Sequence, residues 1–323
     1  MRLLVTGAAG FIGSNFVRMI ASGQIGGISS VVVLDKLTYA GVKANLTKAE
    51  SFSNYSFFQG DICDSNLAAS LLDEVDAVVN LAAESHVDRS ISGAADFVQT
   101  NIVGVQVLLD AIKASGKKIR FLQVSTDEVY GSIDSGSWTE EWPLLPNSPY
   151  SASKASGELL ARSYSRTHGM DIVITRCSNN YGTHHFPEKL IPLFITNLIE
   201  GKKVPVYGTG ENIRDWLHVD DHCRGIYSVL MNGRSGEVYN IGGGRELTNN
   251  EITSLILEAM GADESSIEYV EDRKGHDLRY SVDWTKINRE LGYEPQVKFE
   301  DGLRETIQWY RDNEAWWKPL KNR

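Results

Sequence analysis

The chain has 323 residues, 42% of them apolar and 23% charged, and its 42 Asp and Glu against 32 Lys and Arg give a net charge of −10. This is ordinary globular composition at a length that allows two domains, which excludes a disordered chain, a collagen-like repeat and a disulfide-dense miniprotein. An acidic chain gets no general electrostatic help with nucleic acid or an anionic membrane, so neither is an expected partner and any phosphate must be held locally.

In chain order, Arg2–Thr6 reads as a strand, 11–22 as a helix and 31–35 as a second strand. Tyr55–Gln59, 76–80 and 119–125 follow as strands a helix-length apart, the last preceded by one long helix over 93–115. A further long helix covers 150–168, and 171–176 is another buried strand. Runs such as Val31-Val32-Val33-Leu34 do not alternate with polar residues, as expected of strands covered on both faces. The pattern predicts an α/β fold with a doubly wound parallel sheet.

Past about residue 180 the rhythm loosens. A helix over 188–200 precedes short strands at Val204–Tyr207 and 237–241, then helices at Asn249–Met260 and 300–313. This suggests a smaller C-terminal α/β lobe: a dinucleotide-binding domain over 1–182 and a substrate-binding domain over 183–323, with parts free to interleave. The connection 131–149, rich in Ser, Gly and Pro, is expected to be an active-site loop. Cys63, Cys177 and Cys223 are odd in number, far apart and without ligand spacing, so neither a disulfide framework nor a metal site is expected. With no leader pattern and no apolar run of ~18 residues, a cytoplasmic location is expected.

Gly7-Ala8-Ala9-Gly10-Phe11-Ile12-Gly13 directly follows the first strand and opens the first helix. Glycines there allow a tight turn and let the backbone approach a pyrophosphate at the helix N-terminus. Asp35 closes the second strand 22 residues after Gly13, where an acidic residue holds the ribose hydroxyls of an adenosine. Its charge would repel a 2′-phosphate, so the expected cofactor is NAD, although Lys36 alongside could soften that repulsion. Asp61 and Ile62 end the next unit near the adenine, and the small run Leu81-Ala82-Ala83 suits a backbone lying against the cofactor.

Tyr150 and Lys154 are four residues apart, hence on one helix face. A lysine there favours the phenolate and makes the tyrosine a base near neutral pH. Thr126, Asp127 and Glu128 stand at the carboxyl end of a central strand, where ligands bind in such sheets. Two adjacent carboxyl groups in that place suggest an acid and a base, provided their surroundings separate their pKa values.

Along essentially its whole length the chain resembles the extended short-chain dehydrogenase/reductases, and within them the dTDP-glucose 4,6-dehydratases. The resemblance rests on TGAAGFIG (6–13), AAESHVDRS (82–90), STDEVYG (125–131), PNSPYSASKA (146–155), RCSNNYG (176–182), HFPEKLIP (185–192), NIRDWLHVDDH (212–222) and DRKGHD (272–277). Epimerases and decarboxylases of the superfamily share the glycine motif and the Tyr/Lys pair; Thr-Asp-Glu at the strand end resembles the dehydratases. The short 131–150 connection resembles enzymes of antibiotic deoxysugar pathways.

The resemblance implies oxidation of the sugar at C4, loss of water across C5 and C6, and reduction at C6. Tyr150 would take the 4-hydroxyl proton, with Thr126 bonded to the same hydroxyl. Glu128 would remove the C5 proton and Asp127 would protonate the departing 6-hydroxyl. Phe11, Ile12, Thr38, Ser85, Thr100, Ser125 and Asn180 join the cofactor set. The substrate set is Ser85, Thr126, Asn179, Lys189 and Leu190 around the sugar and diphosphate, Pro205, Val206 and Tyr207 at the base, Arg214 and Asn249 at the nucleotide, and Asp272, Arg273, His276 and Asp277 along the diphosphate and nucleoside. A homodimer packed through the two long helices is also implied. The competing readings are a UDP-sugar epimerase or decarboxylase of the same fold, and a catalytically silent binder of NAD or nucleotide sugar.

Overall fold

The computed structural model describes residues 1–322. Its strands, in chain order, are β1 Arg2–Thr6, β2 Ser30–Asp35, β3 Tyr55–Gln59, β4 Ala77–Asn80, β5 Arg120–Thr126, β6 Ile172–Cys177, β7 Asn179–Tyr181, β8 Val204–Tyr207, β9 Ile213–His218, β10 Val238–Ile241, β11 Glu246–Thr248 and β12 Ile267–Val270. Seven of them make one sheet in the order β10-β6-β5-β4-β1-β2-β3, with every neighbouring pair parallel. The winding reverses between β1 and β4, which opens a crevice at their carboxyl ends.

Alternate residues of β1 serve different layers. Leu3 and Val5 pack with Phe16 of the helix Phe11–Ala21 and Ile226 of the helix Val219–Asn232. Leu4 faces the other way, into a layer with Leu108 and Phe121. A buried polar chain then crosses the three central strand ends: Thr6 Oγ1 donates to Asn80 Oδ1 (2.5 Å), and Asn80 Nδ2 donates to Gln123 Oε1 (2.8 Å). It keeps these ends level beneath the crevice.

The second lobe holds the three-stranded sheet β11-β9-β7 and the pair β12-β8. Its core joins Ile195, Trp216, Ile252 and Leu303. The lobes interleave, because β10, beyond residue 182, pairs with β6 in the large sheet and the helix Val219–Asn232 packs beneath that sheet. The sequence pattern does not announce that helix, although His218 caps it, Asp220 and Asp221 occupy its first turn and Gly233 ends it.

Two expectations change. The region 93–115 is not one α-helix: Ala95–Val98 and Val105–Ser115 flank a π-helical stretch, Gln99–Gly104. The irregular turn holds Asn101, whose side chain accepts from Glu84 N and donates to Glu84 O and Ser153 Oγ. The connection 131–149 does not line the cleft described below. Trp138, 2% exposed, packs with Tyr130, Tyr280 and Val282, and its main chain bonds to Ser281 and Asp283. Elsewhere the helix expected over 188–200 starts at Leu190, leaving Lys189 as its N-cap.

Candidate active site

The glycine turn sits on the crevice floor. Gly7 has φ +67°, and a Cβ there would stand 2.6 Å from Ala82 Cα, so the turn after β1 and the Leu81–Ala83 segment meet main chain to main chain at this point. Asp35 follows at the end of β2, 8% exposed, with Oδ2 accepting from Ala9 N and Oδ1 from Leu37 N, both at 2.8 Å. Burial raises its pKa, opposed by those two amides. Lys36 turns away to Asp61 (2.7 Å), so its charge is matched and leaves the Asp35 repulsion intact.

One cleft is lined by Gly7, Gly10, Phe11, Ile12, Gly13, Asp35, Lys36, Thr38, Asp61, Ile62, Leu81, Ala82, Ala83, Ser85, Thr100, Ser125, Tyr150, Lys154 and Asn180. These are all of the residues expected around the cofactor. A main-chain cradle that any Cβ would fill, free helix amides and a ribose-side carboxylate fit a dinucleotide without a 2′-phosphate. Glu84, His185, Phe186 and Glu188 line the same cleft and escaped the sequence reading.

Thr126, Asp127 and Glu128 leave β5 in a short 3-10 turn, capped by Thr126 Oγ1 accepting from Glu128 N. The helix Pro149–His168 starts at a capping box between Ser148 and Ser151, with Pro149 as its first residue. That puts Tyr150 in the first turn and Lys154 one turn on. Ser90 Oγ accepts from Tyr150 N (3.1 Å), and Phe97 meets the phenol ring edge-on.

The two carboxyl groups differ in setting. Asp127 is 1% exposed; Oδ1 takes a 3.2 Å bond from Thr126 Oγ1, and Oδ2 has no partner among the described residues. Burial, then Glu128, then Asp215 push its pKa well above the usual carboxylate range. Glu128 is also raised by burial, but Lys189, Arg214 and Arg273 face it and pull it back. The pair therefore favours a protonated Asp127 beside an ionised Glu128.

The Tyr/Lys pair departs from expectation. Lys154 Nζ donates to Val124 O (2.7 Å), and burial lowers its pKa to about 8. Burial and the neighbouring Glu128 raise the Tyr150 pKa well above 10, with the Thr126 hydroxyl pulling the other way. Burial first, and then the neighbouring carboxylates, favour the neutral phenol, while Lys154 is bonded to a strand carbonyl.

A second cavity adjoins the first and shares Ser85, Glu128, Asn179, Asn180, His185, Glu188 and Lys189 with it. Leu190, Pro205, Val206, Tyr207, Arg214, Asn249, Arg273 and His276 complete the expected residues there. Thr126 lies on the cofactor side. Asp272 and Asp277 do not line either wall. Asp272 holds His276 Nδ1 (2.7 Å), and Asp277, 7% exposed, accepts from Asn147 Nδ2 and Tyr280 OH. Their carboxylates brace the loop, and Arg273 and His276 of the same loop line the cavity. Arg214 is largely spent on the carbonyls of Ile213, Asp277 and Leu278 and stacks on Tyr280. Lys189 Nζ donates to Ser85 O (2.9 Å). His86, Asp88 and Trp216 line this cavity without having been singled out, although each lies inside a recognised motif.

His184 stacks on Trp309 and bonds to Thr183, and Trp317 is fully buried. Trp316 Nε1 donates to Asn45 Oδ1, whose Nδ2 reaches Ala9 O of the glycine turn, so the C-terminal tryptophans brace the cofactor side.

The family model described as GDP-mannose 4,6 dehydratase matches residues 4–306. A dTDP-glucose 4,6-dehydratase of Streptomyces niveus is 58% identical over 325 residues, covering 100% of this chain and 96% of that protein. The crystal structure of DesIV, a dTDP-glucose 4,6-dehydratase from Streptomyces venezuelae with NAD and dTDP bound, is 59% identical with a TM-score of 0.98, over 99% of this chain and 100% of that one. UDP-glucose 4-epimerase of Thermotoga maritima keeps the fold at 33% identity and a TM-score of 0.88, over 97% of this chain and 100% of that one. Full-length similarity of this strength, on a chain with Thr126-Asp127-Glu128 facing Tyr150 across one cleft, means that the chain belongs to the dTDP-glucose 4,6-dehydratases.

Proposed function

We propose that the chain converts dTDP-glucose to dTDP-4-keto-6-deoxy-glucose with NAD, and that Tyr150, Lys154, Thr126, Asp127 and Glu128 carry the chemistry. When bound, NAD supplies the oxidising and reducing equivalents at C4 and C6. The protein supplies proton transfers and geometry. Tyr150 takes the 4-hydroxyl proton, with Thr126 Oγ aligned on the same oxygen. Burial raises the pKa of Tyr150, so the phenolate needs added positive charge, which Lys154 and an oxidised nicotinamide held in this cleft would supply. Glu128, faced by three cations, takes the C5 proton, and Asp127 gives its proton to the leaving 6-hydroxyl.

The observation carrying this reading is the unequal carboxyl pair at the end of β5, one deeply buried with a single oxygen hydrogen-bonded, the other facing cations. A simple oxidation and re-reduction at C4 has no use for it. Residues 1–182 serve the cofactor and 183–323 the nucleotide sugar, apart from the stretch returning to the large sheet. A homodimer is part of the same reading, supported by Val98 (46% exposed) and Leu159 (51% exposed) on the two long helical regions. Three free thiols agree with a cytoplasmic setting.

Proton NMR of the protein with catalytic NAD and, separately, dTDP-glucose, UDP-glucose and UDP-glucuronate tests this. A 6-methyl signal of a 4-keto sugar is expected from dTDP-glucose without net NADH. The same signal from UDP-glucose alone would move the base assignment, and an inverted 4-hydroxyl or released carbon dioxide would overturn the reaction.

A further inference from the structure

Arg273 comes from the loop after β12, in the C-terminal lobe, while Asp88 sits in the short helix Val87–Ser92 beside the large sheet. The two meet across the second cavity, which both line. Arg273 Nε lies 2.6 Å from Asp88 Oδ1 and Nη2 lies 3.0 Å from Oδ2, a bidentate pair on one edge of the guanidinium. A guanidinium has five N–H donors in a rigid plane, so this pairing leaves the Nη1 edge free and fixes its direction.

The surroundings hold that plane. Arg273 lies over the Tyr207 ring, 5.3 Å from its centroid, and its amide donates to Asp272 Oδ1. Tyr207 meets His276 edge-on, and its hydroxyl reaches Asp88 Oδ2 (3.5 Å). Asp88 is the fixed end. Its helix is capped by His86 and tied by Ser90 to the amide of Tyr150, so the carboxylate stands on an element bonded to the helix that carries Tyr150.

We propose that Asp88 is a positioning residue: it orients Arg273 across the two lobes so that the free guanidinium edge meets the diphosphate of the nucleotide sugar. This rests on the reaction assigned above. Asp88 does not touch the reacting carbons, so its loss weakens nucleotide binding more than turnover. The carboxylate is matched to arginine by its two oxygens, not merely by polarity, so an amide does not replace it.

The test uses the NAD-loaded enzyme, with dTDP as the binding probe and dTDP-glucose for turnover. Asp88→Asn is expected to raise the Kd for dTDP and the KM about tenfold, the loss of one charge-assisted hydrogen bond, with a smaller change in kcat. Asp88→Glu is expected to restore most of the affinity. In an Arg273→Gln background, Asp88→Asn should add little further loss, since the two act as a unit. An unchanged or lowered Kd in Asp88→Asn would overturn the proposal, as would fully additive losses in the double variant. Absence of turnover by the unmodified enzyme would instead defeat the assigned reaction while leaving the dTDP measurement readable.

Discussion

The cleft at the ends of β1 and β4 is made largely of main chain: a glycine turn pressed against Ala82, helix amides, and one carboxylate held by two backbone N–H groups. The cavity beside it is made of side chains from distant segments, with Lys189, Arg214 and the loop of Arg273 and His276 delivered separately and Asp88 by the other lobe. The first is stiff because the sheet fixes every part of it. The second depends on ion pairs and stacking between loops, which can be broken one at a time. The two share one wall, which includes Glu128 and Lys189.

Four variants separate these regions. Tyr150→Phe acts on the cofactor side and should lower kcat about a thousandfold, within the range for removing a general base, while NAD and dTDP still bind. Unaltered turnover would remove Tyr150 from its role. Asp127→Asn should lower kcat about a hundredfold, yet C4 oxidation should still proceed, seen as absorbance of bound reduced cofactor. The same substitution should raise Tm at pH 8. Burial holds the folded pKa of Asp127 above its unfolded value, so its contribution is intact below the unfolded pKa and is lost as pH rises through the folded one. The gain should therefore vanish at pH 3, and a Tm gain at both pH values would refute this cause.

Gly7→Ala breaks only the main-chain region. It forces a left-handed residue and a 2.6 Å approach to Ala82, so NAD affinity should fall about tenfold or more while dTDP binding holds, consistent with ~1–3 kcal/mol of strain. Equal losses for both ligands would mean that the two regions are not separable. Lys189→Met removes a cation from the wall that the two regions share, with about a tenfold fall in kcat/KM. Removing this cation lets the Glu128 pKa rise, so the acid limb of the kcat profile should move to higher pH. A limb that stays in place would assign it to another group.

Legibility in the sequence follows the same division. Gly7 to Gly13, Asp35, and the Tyr150/Lys154 spacing were readable because each encodes a local geometry: a turn, a strand end, one helix face. The seven-stranded sheet was readable for its first six strands from unbroken apolar runs. Its seventh, β10, was seen only as a short C-terminal strand, since nothing local says that it returns to β6. The π-helical turn at Gln99–Gly104 was invisible because it depends on Asn101 finding Glu84 and Ser153.

By itself, then, the sequence determined the fold class and the dinucleotide turn and singled out the candidate reacting groups, all of which rest on neighbours a few residues apart. Tertiary structure alone decided their chemical state and their partners. Asp127 is more strongly raised than Glu128 because one is buried with two carboxylates near it and the other meets cations from three segments. Lys154 serves a strand carbonyl, Asp277 braces a loop, and Arg273 finds Asp88, because burial and long-range approach set electrostatics, and neither is written in local spacing.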